Sequence, residues 1–380
     1  MLYIMSYFNT TPKVIFGKES LKKFMKFSIS EETNYITIFL DRNIASETHV
    51  STFISFLKEN FRTSVYTDIE PDPSIATANK AAEFIRNTKP DLIIGIGGGS
   101  VLDIAKAAAA LATYSGDCAE LLREQRMIDR KIPLVLIPTT AGTGSEATPI
   151  VILSDTDEHL KKGLVSDTLI PDMAILAPEL TLSCPQHVTA HSGMDALIHA
   201  VEAYTSGKSN AMSDFYAREA CRLIGNALPK VYQEPQDLKL REKMLLGSYF
   251  AGVAFANASV TAVHAFAYPI GAEFHIPHGL ANSIMFEAVM KRNYEALPER
   301  FNEIAGIIAS RTISSREEFL KVIRNIKESV NIKETLSDFG VKETNVPHLA
   351  KQAMKVTRLL EPNPVHISEE MAREIYRESL

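Results

Sequence analysis

Carboxylate and imidazole groups gather in the second half of the chain. Asp195 and His199 stand four residues apart in a segment of helical periodicity, so both side chains leave one helix face, and His191 lies one turn earlier on the same stripe. His264 sits in an uncharged stretch, and His278 follows in Phe274-His275-Ile276-Pro277-His278-Gly279. A carboxylate plus several imidazoles on neighbouring helices is how helical domains build metal sites. The same spacing also serves surface ion pairs, and a lone histidine on an apolar face is ordinarily a hydrogen-bonded core residue. Spacing alone leaves the two readings level. His191 reads more simply as a residue of the helix N-terminus than as a ligand. Glu202, one turn after His199, reads equally as support for a ligand and as half of an ion pair.

A second chemistry is written in the first half. Gly95-Ile96-Gly97-Gly98-Gly99-Ser100 joins a β-rich run, Asp91 to Ile96, to an Ala-rich helical run, Val101 to Ala112. Glycines there let a phosphate approach the backbone, and the helix start offers unpaired N–H groups. Ser100 occupies the third glycine position of a strict dinucleotide fingerprint, and no Gly-Lys-Ser/Thr follows, which excludes a P-loop. A polar loop, Pro138-Thr139-Thr140-Ala141-Gly142-Thr143-Gly144-Ser145-Glu146, also follows a strand. Two such loops at strand C-termini suit a dinucleotide crevice. Asp41 ends the strand Tyr35 to Leu40; its carboxylate suits ribose hydroxyls and would repel a 2′-phosphate, favouring NAD over NADP. A turn or helix-cap role fits Asp41 equally well.

The elements that must position these groups change character midway. Up to about residue 180 short β-rich runs alternate with helical ones, predicting a parallel sheet covered by helices. After Pro185 helical periodicities dominate: His187–Thr205, Ala211–Leu228, Leu238–Asn257, Phe301–Ile308, Ser315–Val330 and Val346–Leu359. The expected architecture is an α/β nucleotide-binding domain, 1–185, and an all-helical domain, 186–380, apposed around a cleft. A length of 380 residues also asks for more than one core.

Composition narrows the partners. Forty Lys+Arg against 46 Asp+Glu give a net charge of −6, which offers no electrostatic case for nucleic acid. Cys118, Cys184 and Cys221 form no CxxC pair, so neither a disulfide framework nor a thiolate zinc site is expected, and a reducing cytoplasm fits. Residues 1–6 lack the basic-then-apolar pattern of a secretory signal. From Met244 to Ala272 there is no Asp, Glu, Lys or Arg, a length sufficient to cross a bilayer. Asn257, Ser259, Thr261, His264 and Pro269 within it favour a buried core helix over a membrane span.

Taken in order, these motifs resemble the iron-containing (group III) alcohol dehydrogenases. The match runs through Phe16-Gly17, Gly97 to Lys106, Pro138 to Glu146, Gly193 to Tyr204 and Pro277-His278-Gly279. The resemblance implies a dehydroquinate synthase-like fold and a homodimer. It also implies that Asp195, His199, His264 and His278 are the metal ligands at the catalytic centre. Asp41, Gly98, Gly99, Thr139, Thr140 and Lys162 would line the NAD site, and Gly97, Ser100 and Asp103 of the glycine motif complete the expected cofactor set. His264 must then meet Asp195 and His199, making the uncharged run a buried helix beside the cleft. Two positions depart from the family pattern: Tyr268 replaces a common histidine, and Val365 a frequent arginine.

One carboxylate and three imidazoles suit Fe(II), and Zn(II), which can expand to five ligands, would also bind. The implied reaction is reversible hydride transfer between a small primary alcohol or diol and NAD, with no nucleophile on the protein. Related scaffolds carry other reactions: lyases resembling dehydroquinate synthase, metal-free maleylacetate reductases and hydroxyacid–oxoacid transhydrogenases. Retention of all four ligand positions counts against the metal-free case and against a non-catalytic nucleotide sensor.

Overall fold

The computed structural model describes residues 7–114, 116–124, 129–156 and 160–380; residues 1–6, with their missing signal pattern, lie outside them. Eight strands are present among the described residues: β1 (Lys13–Phe16), β2 (Tyr35–Leu40), β3 (Arg62–Tyr66), β4 (Leu92–Gly97), β5 (Leu134–Pro138), β6 (Ile150–Asp155), β7 (Leu160–Val165) and β8 (Met173–Leu176). Six form one parallel sheet in the order β1-β8-β5-β4-β2-β3, and β6 pairs antiparallel with β7 as a separate hairpin.

Helices α1 (Ser20–Phe27), α2 (Thr48–Asn60), α3 (Ile75–Thr88), α4 (Gly99–Leu111) and α5 (Cys118–Glu124) alternate with the strands. Because they cover both faces of the sheet, its central strands are apolar throughout rather than alternating. Ile36, Ile38, Ile94 and Ile96 pack toward α1 and α2, whereas Phe39, Ile93, Leu134 and Leu136 pack toward α3 and α4. Helix α4 lies so close to the sheet that a Cβ on Gly95 would meet Leu136 at 2.8 Å and Ala105 at 3.0 Å. The alanines Ala105 and Ala107 to Ala110 are fully buried for the same reason. Strand order changes direction between β2 and β4, where the backbone N–H of Asp41 donates to Ile96. An open parallel sheet takes its ligand at such a crevice.

From Gln186 onward the described elements are all helical: α6 (Gln186–Thr205), α7 (Ala211–Gln233), α8 (Leu238–Ala258), α9 (Ala262–Phe274), α10 (His278–Asn293), α11 (Pro298–Ala309), α12 (Arg316–Ser329), α13 (Val346–Met354), α14 (Thr357–Leu360) and α15 (Glu369–Glu378). Helix α8 also packs on the sheet, joining Leu245, Tyr249 and Val253 to Ala174 and Leu176.

The uncharged run departs from expectation. It is two helices, α8 and α9, meeting at 105°, not one. Ser259 takes φ +67°, ψ 155°, outside helical geometry, and its N–H closes α8 on the Phe255 carbonyl at 2.7 Å. The bend carries His264 back toward α6. No single described helix is long and apolar enough to cross a membrane; the bent α8–α9 pair meets that measure by length and composition only. The helix expected over Val346–Leu359 is likewise divided, because Val356 leaves helical dihedrals between α13 and α14.

Candidate metal centre and cofactor cleft

Helix α6 supplies Asp195 and His199 from one face, α9 supplies His264, and α10 begins at His278. One donor atom from each of the four lies within 4.8 Å of the others. Asp195, His199 and His264 are buried, while the His278 side chain is 28% exposed and marks the open side. The His199 ring stacks on His264 at 4.6 Å and on Phe255 at 4.5 Å, which fixes its plane.

The tautomers follow from the surroundings. Fully buried Glu202 accepts from His264 Nδ1 at 2.5 Å, from Thr261 Oγ1 at 2.7 Å and from the Val263 N–H at 2.8 Å. That fixes the proton on Nδ1 and leaves the Nε2 lone pair aimed at the cluster, the arrangement by which carboxylates orient metal-ligating histidines. Of the two readings of Glu202, support for a ligand is the one its position matches. His199 Nδ1 is buried, has no hydrogen-bond partner and lies 3.9 Å from Asp195. Asn282, one turn after His278 on α10, donates from Nδ2 to Asp195 at 2.7 Å.

Charge follows the same plan. Burial pushes the His199 imidazole down to about 4 and that of His278 down to about 3, against the pull of Asp195. Burial also works to raise the Asp195 carboxyl, but the three imidazoles and Asn282 outweigh it and hold it below the usual carboxylate range. Near neutral pH the set therefore holds the Asp195 carboxylate beside neutral His199 and His278, with an orphaned buried nitrogen, His199 Nδ1, among its donors. Such donors fit a divalent transition metal.

The cluster closes one end of a cleft whose other end is the glycine turn, where Gly99, Ser100 and Asp103 line the wall with Thr143. A Cβ on Gly97 would strike Val101 at 2.7 Å and one on Gly99 would strike Thr143 at 2.6 Å, so both glycines are steric requirements of the turn. Gly98 caps α4 and has no atom nearer than 3.5 Å to a notional Cβ, leaving its backbone approachable. Thr139 ties β5 to Gly97 through its N–H at 3.0 Å, and Thr140 lies against Gly98. Asp41, at the end of β2, caps a short turn by accepting from the Asn43 N–H at 2.9 Å.

Two expected residues fall elsewhere or act differently. Lys162 faces away from the cleft and pairs with Asp155 at 2.8 Å. Its neighbour Lys161 lines the cleft and pairs with Asp72 at 2.7 Å, because successive residues of a strand point to opposite faces. Asp103 reaches the wall, yet its carboxylate accepts from Ser145 Oγ at 2.6 Å and from the Ile152 N–H at 2.9 Å, which anchors the polar loop and β6. His191 lies outside the ligand cluster, its ring 6.1 Å from that of His187. Tyr268 lines the cleft with its ring 5.9 Å from His278, and burial pushes its phenol up to about 12. Val365 serves through its carbonyl, which accepts from Asn363 at 2.7 Å. Sequence reasoning missed Asn282, Phe255 and Lys161; the i,i+4 spacing of Asn282 from His278 was the available signal.

A parallel-sheet half bearing a glycine turn, joined to a helical half bearing a carboxylate–imidazole cluster, defines a class of nucleotide-linked metalloenzyme scaffolds. The profile for iron-containing alcohol dehydrogenase matches residues 11–178, and that for the C-terminal part of the Fe-containing alcohol dehydrogenase family matches 189–380. The chain is 41% identical over 327 residues to long-chain-alcohol dehydrogenase 1 of Geobacillus thermodenitrificans, covering 84% of this chain and 82% of the relative. It is 35% identical over 320 residues to 1,3-propanediol dehydrogenase of Citrobacter freundii, covering 83% and 82%. The solved structure of sulfoacetaldehyde reductase from Bifidobacterium kashiwanohense in complex with NAD+ superposes with a TM-score of 0.90 at 28% identity, over 99% of both chains. The chain belongs to the iron-containing alcohol dehydrogenase family and is an oxidoreductase acting on alcohols.

Proposed function

We propose that the protein catalyses reversible hydride transfer between a small primary alcohol or diol and NAD, at a metal held by Asp195, His199, His264 and His278. The observation that carries the reading is the convergence of these donors at one end of the cleft whose other end is the Gly97–Ser100 turn. Bound there, Fe(II) or Zn(II) supplies Lewis acidity toward a substrate oxygen. The protein does the rest. Asp195 brings the compensating negative charge, and Glu202 keeps His264 in the ligating tautomer. Phe255 and Tyr268 wall the substrate position with apolar surface, which limits water beside the transferring hydride. The Tyr268 phenol keeps its proton across the working pH range and is placed to hydrogen-bond a substrate oxygen.

At the other end, the start of α4 takes the pyrophosphate through backbone N–H groups. Asp41, at the crevice between β2 and β4, accepts from the adenosine ribose and disfavours a 2′-phosphate, so NAD is preferred over NADP. Lys161 stands on the cleft wall in the place assigned from sequence to Lys162. The working protein is a cytoplasmic homodimer with a domain boundary at residue 185 and no nucleic-acid or membrane partner.

The test is NADH formation on protein loaded anaerobically with Fe(II) and compared with Zn(II), using propan-1-ol and propane-1,3-diol, with NADP as the second cofactor. Metal-dependent turnover with NAD at least tenfold above NADP in kcat/KM is expected. Binding of metal and NAD without turnover of any alcohol or aldehyde would overturn the reading.

A further inference from the structure

Arg358 is the outlying charge of the cleft. It sits on the four-residue helix α14, which packs against α9 and so brings the guanidinium to the wall that also holds Tyr268 and His278. Arginines elsewhere are engaged: Arg292 with Glu378, Arg300 with Asp214, Arg324 with Glu287 and Arg377 with Glu343. Arg358 makes neither a hydrogen bond nor an ion pair with any described residue. The second cleft cation, Lys161, is already neutralised by Asp72.

The opposite wall makes room for it. Gly163 lies within β7, and a Cβ there would stand 3.3 Å from Arg358 Nη2. Glycine inside a strand costs stability and marks a place where another group must come close. Here two groups come close, Ile152 Cδ1 of the facing strand at 3.2 Å and the guanidinium, which reaches from the C-terminal segment across to the β6–β7 hairpin. Tyr268 adds a second donor on the same side, since its hydroxyl makes no hydrogen bond with a described residue.

We propose that Arg358, seated over Gly163, is a specificity-determining residue that receives an anionic group on the substrate, so that the preferred substrates are hydroxyalkyl carboxylates, phosphonates or sulfonates and the matching aldehydes rather than neutral alcohols. A guanidinium presents paired N–H donors in a planar fork that matches such oxyanions, and a cleft-lining charge without a partner among the described residues is open to one brought by the ligand. The hydroxyl end lies toward His264 and His278, and the anionic end toward α14. The inference rests on the proposed alcohol–NAD reaction.

The experiment compares 3-hydroxypropionate and 2-hydroxyethylphosphonate with propane-1,3-diol on the metal-loaded enzyme, in wild type, Arg358→Gln, Arg358→Lys and Gly163→Val. In wild type the anionic compounds are expected to exceed the diol at least tenfold in kcat/KM. Arg358→Gln lowers that ratio at least tenfold, mainly through KM, Arg358→Lys restores part of it, and Gly163→Val lowers it by crowding the guanidinium. NADH fluorescence on the ternary complex reads the same preference as Kd, so loss of turnover does not hide it. Equal wild-type Kd values for 3-hydroxypropionate and the diol overturn the anion inference while leaving the alcohol–NAD reading intact. A parallel loss of NADH affinity in Arg358→Gln assigns the guanidinium to the cofactor and also overturns it. Turnover of no alcohol, with anion-selective binding retained, overturns the reaction and spares the subsite.

Discussion

Two groups of buried polar residues face the cleft, and they differ in where their bonds go. Beside the glycine turn, Lys106 is wholly buried and donates to the carbonyls of Ser145 at 2.9 Å and Ile150 at 2.5 Å, with Asp103 at 3.4 Å. Asp103 in turn holds Ser145 and Ile152. These side chains are consumed in clamping α4 to the polar loop and to the hairpin. In the helical half the pattern is inverted: Glu202, Asn282 and the helices orient four donors toward one point and leave His199 Nδ1 without a partner. A native fold rarely leaves a buried polar atom unpaired, and an unpaired nitrogen among converging donors marks a ligand, whereas mutually satisfied atoms mark scaffold.

Removing one member from each group separates the roles. His264→Ala should lower bound metal to background and turnover by at least about a thousandfold, while NADH affinity stays within about threefold. Metal analysis of the purified variant and a fluorescence titration read the two outcomes; a variant that retains its metal removes His264 from the ligand set. Lys106→Met should do the reverse. Loss of a buried, hydrogen-bonded cation costs about 3–5 kcal/mol of unfolding free energy, read as a lower urea midpoint. Metal content per folded molecule should be unchanged. If Lys106→Met loses metal without losing stability, the clamp reading fails.

The comparison can be made finer within the helical half. Glu202→Gln keeps the shape of the side chain and removes the charge that orders His264. A weakening of metal affinity by about 10–100-fold is expected, read by competition with a chelator, with the fold intact by thermal melting. An unchanged metal Kd would reduce Glu202 to an ordinary buried acceptor.

What the chain disclosed in advance follows the range of the forces involved. Tyr35 to Leu40 was legible as a strand to the residue, because a run of β-branched and aromatic side chains buried on both faces has few alternatives. Strands β1 and β8 were not legible: each has only four residues, and they pair chiefly with one another, so long-range pairing decides them. The β6–β7 hairpin was hidden by Lys161, Lys162 and Gly163, which weaken its strand signature, although Lys161 lines the cleft. The ligand set required the family resemblance, since Asp195 and His264 are brought together by a bend at Ser259 that no local propensity announces. That Lys161 rather than Lys162 lines the cleft has the same origin: in a strand, neighbouring positions share composition but not direction.

Glu146 is the apparent exception to the rule that the first group is satisfied, and it supplies the smallest test. Its side chain is 1% exposed, and Oε1 has no partner. Burial pushes the carboxyl up to about 7 from an ordinary 4.5, opposed by its own backbone and by Lys106. The residue meets the cost of its surroundings by keeping its proton rather than by finding a ligand. Since the folded pKa lies above the unfolded one, protonated Glu146 contributes stability that is full below about pH 4.5 and is lost as pH rises through about 7. Glu146→Gln keeps a neutral side chain at every pH and should abolish that slope. Urea midpoints of variant and wild type should coincide near pH 4.5, and the variant should be more stable at pH 8 by up to about 3 kcal/mol. A wild-type curve parallel to that of the variant across this range would mean that Glu146 is ionised in the fold, and the clamp around Lys106 would then contain a second buried charge that the geometry leaves half-paired.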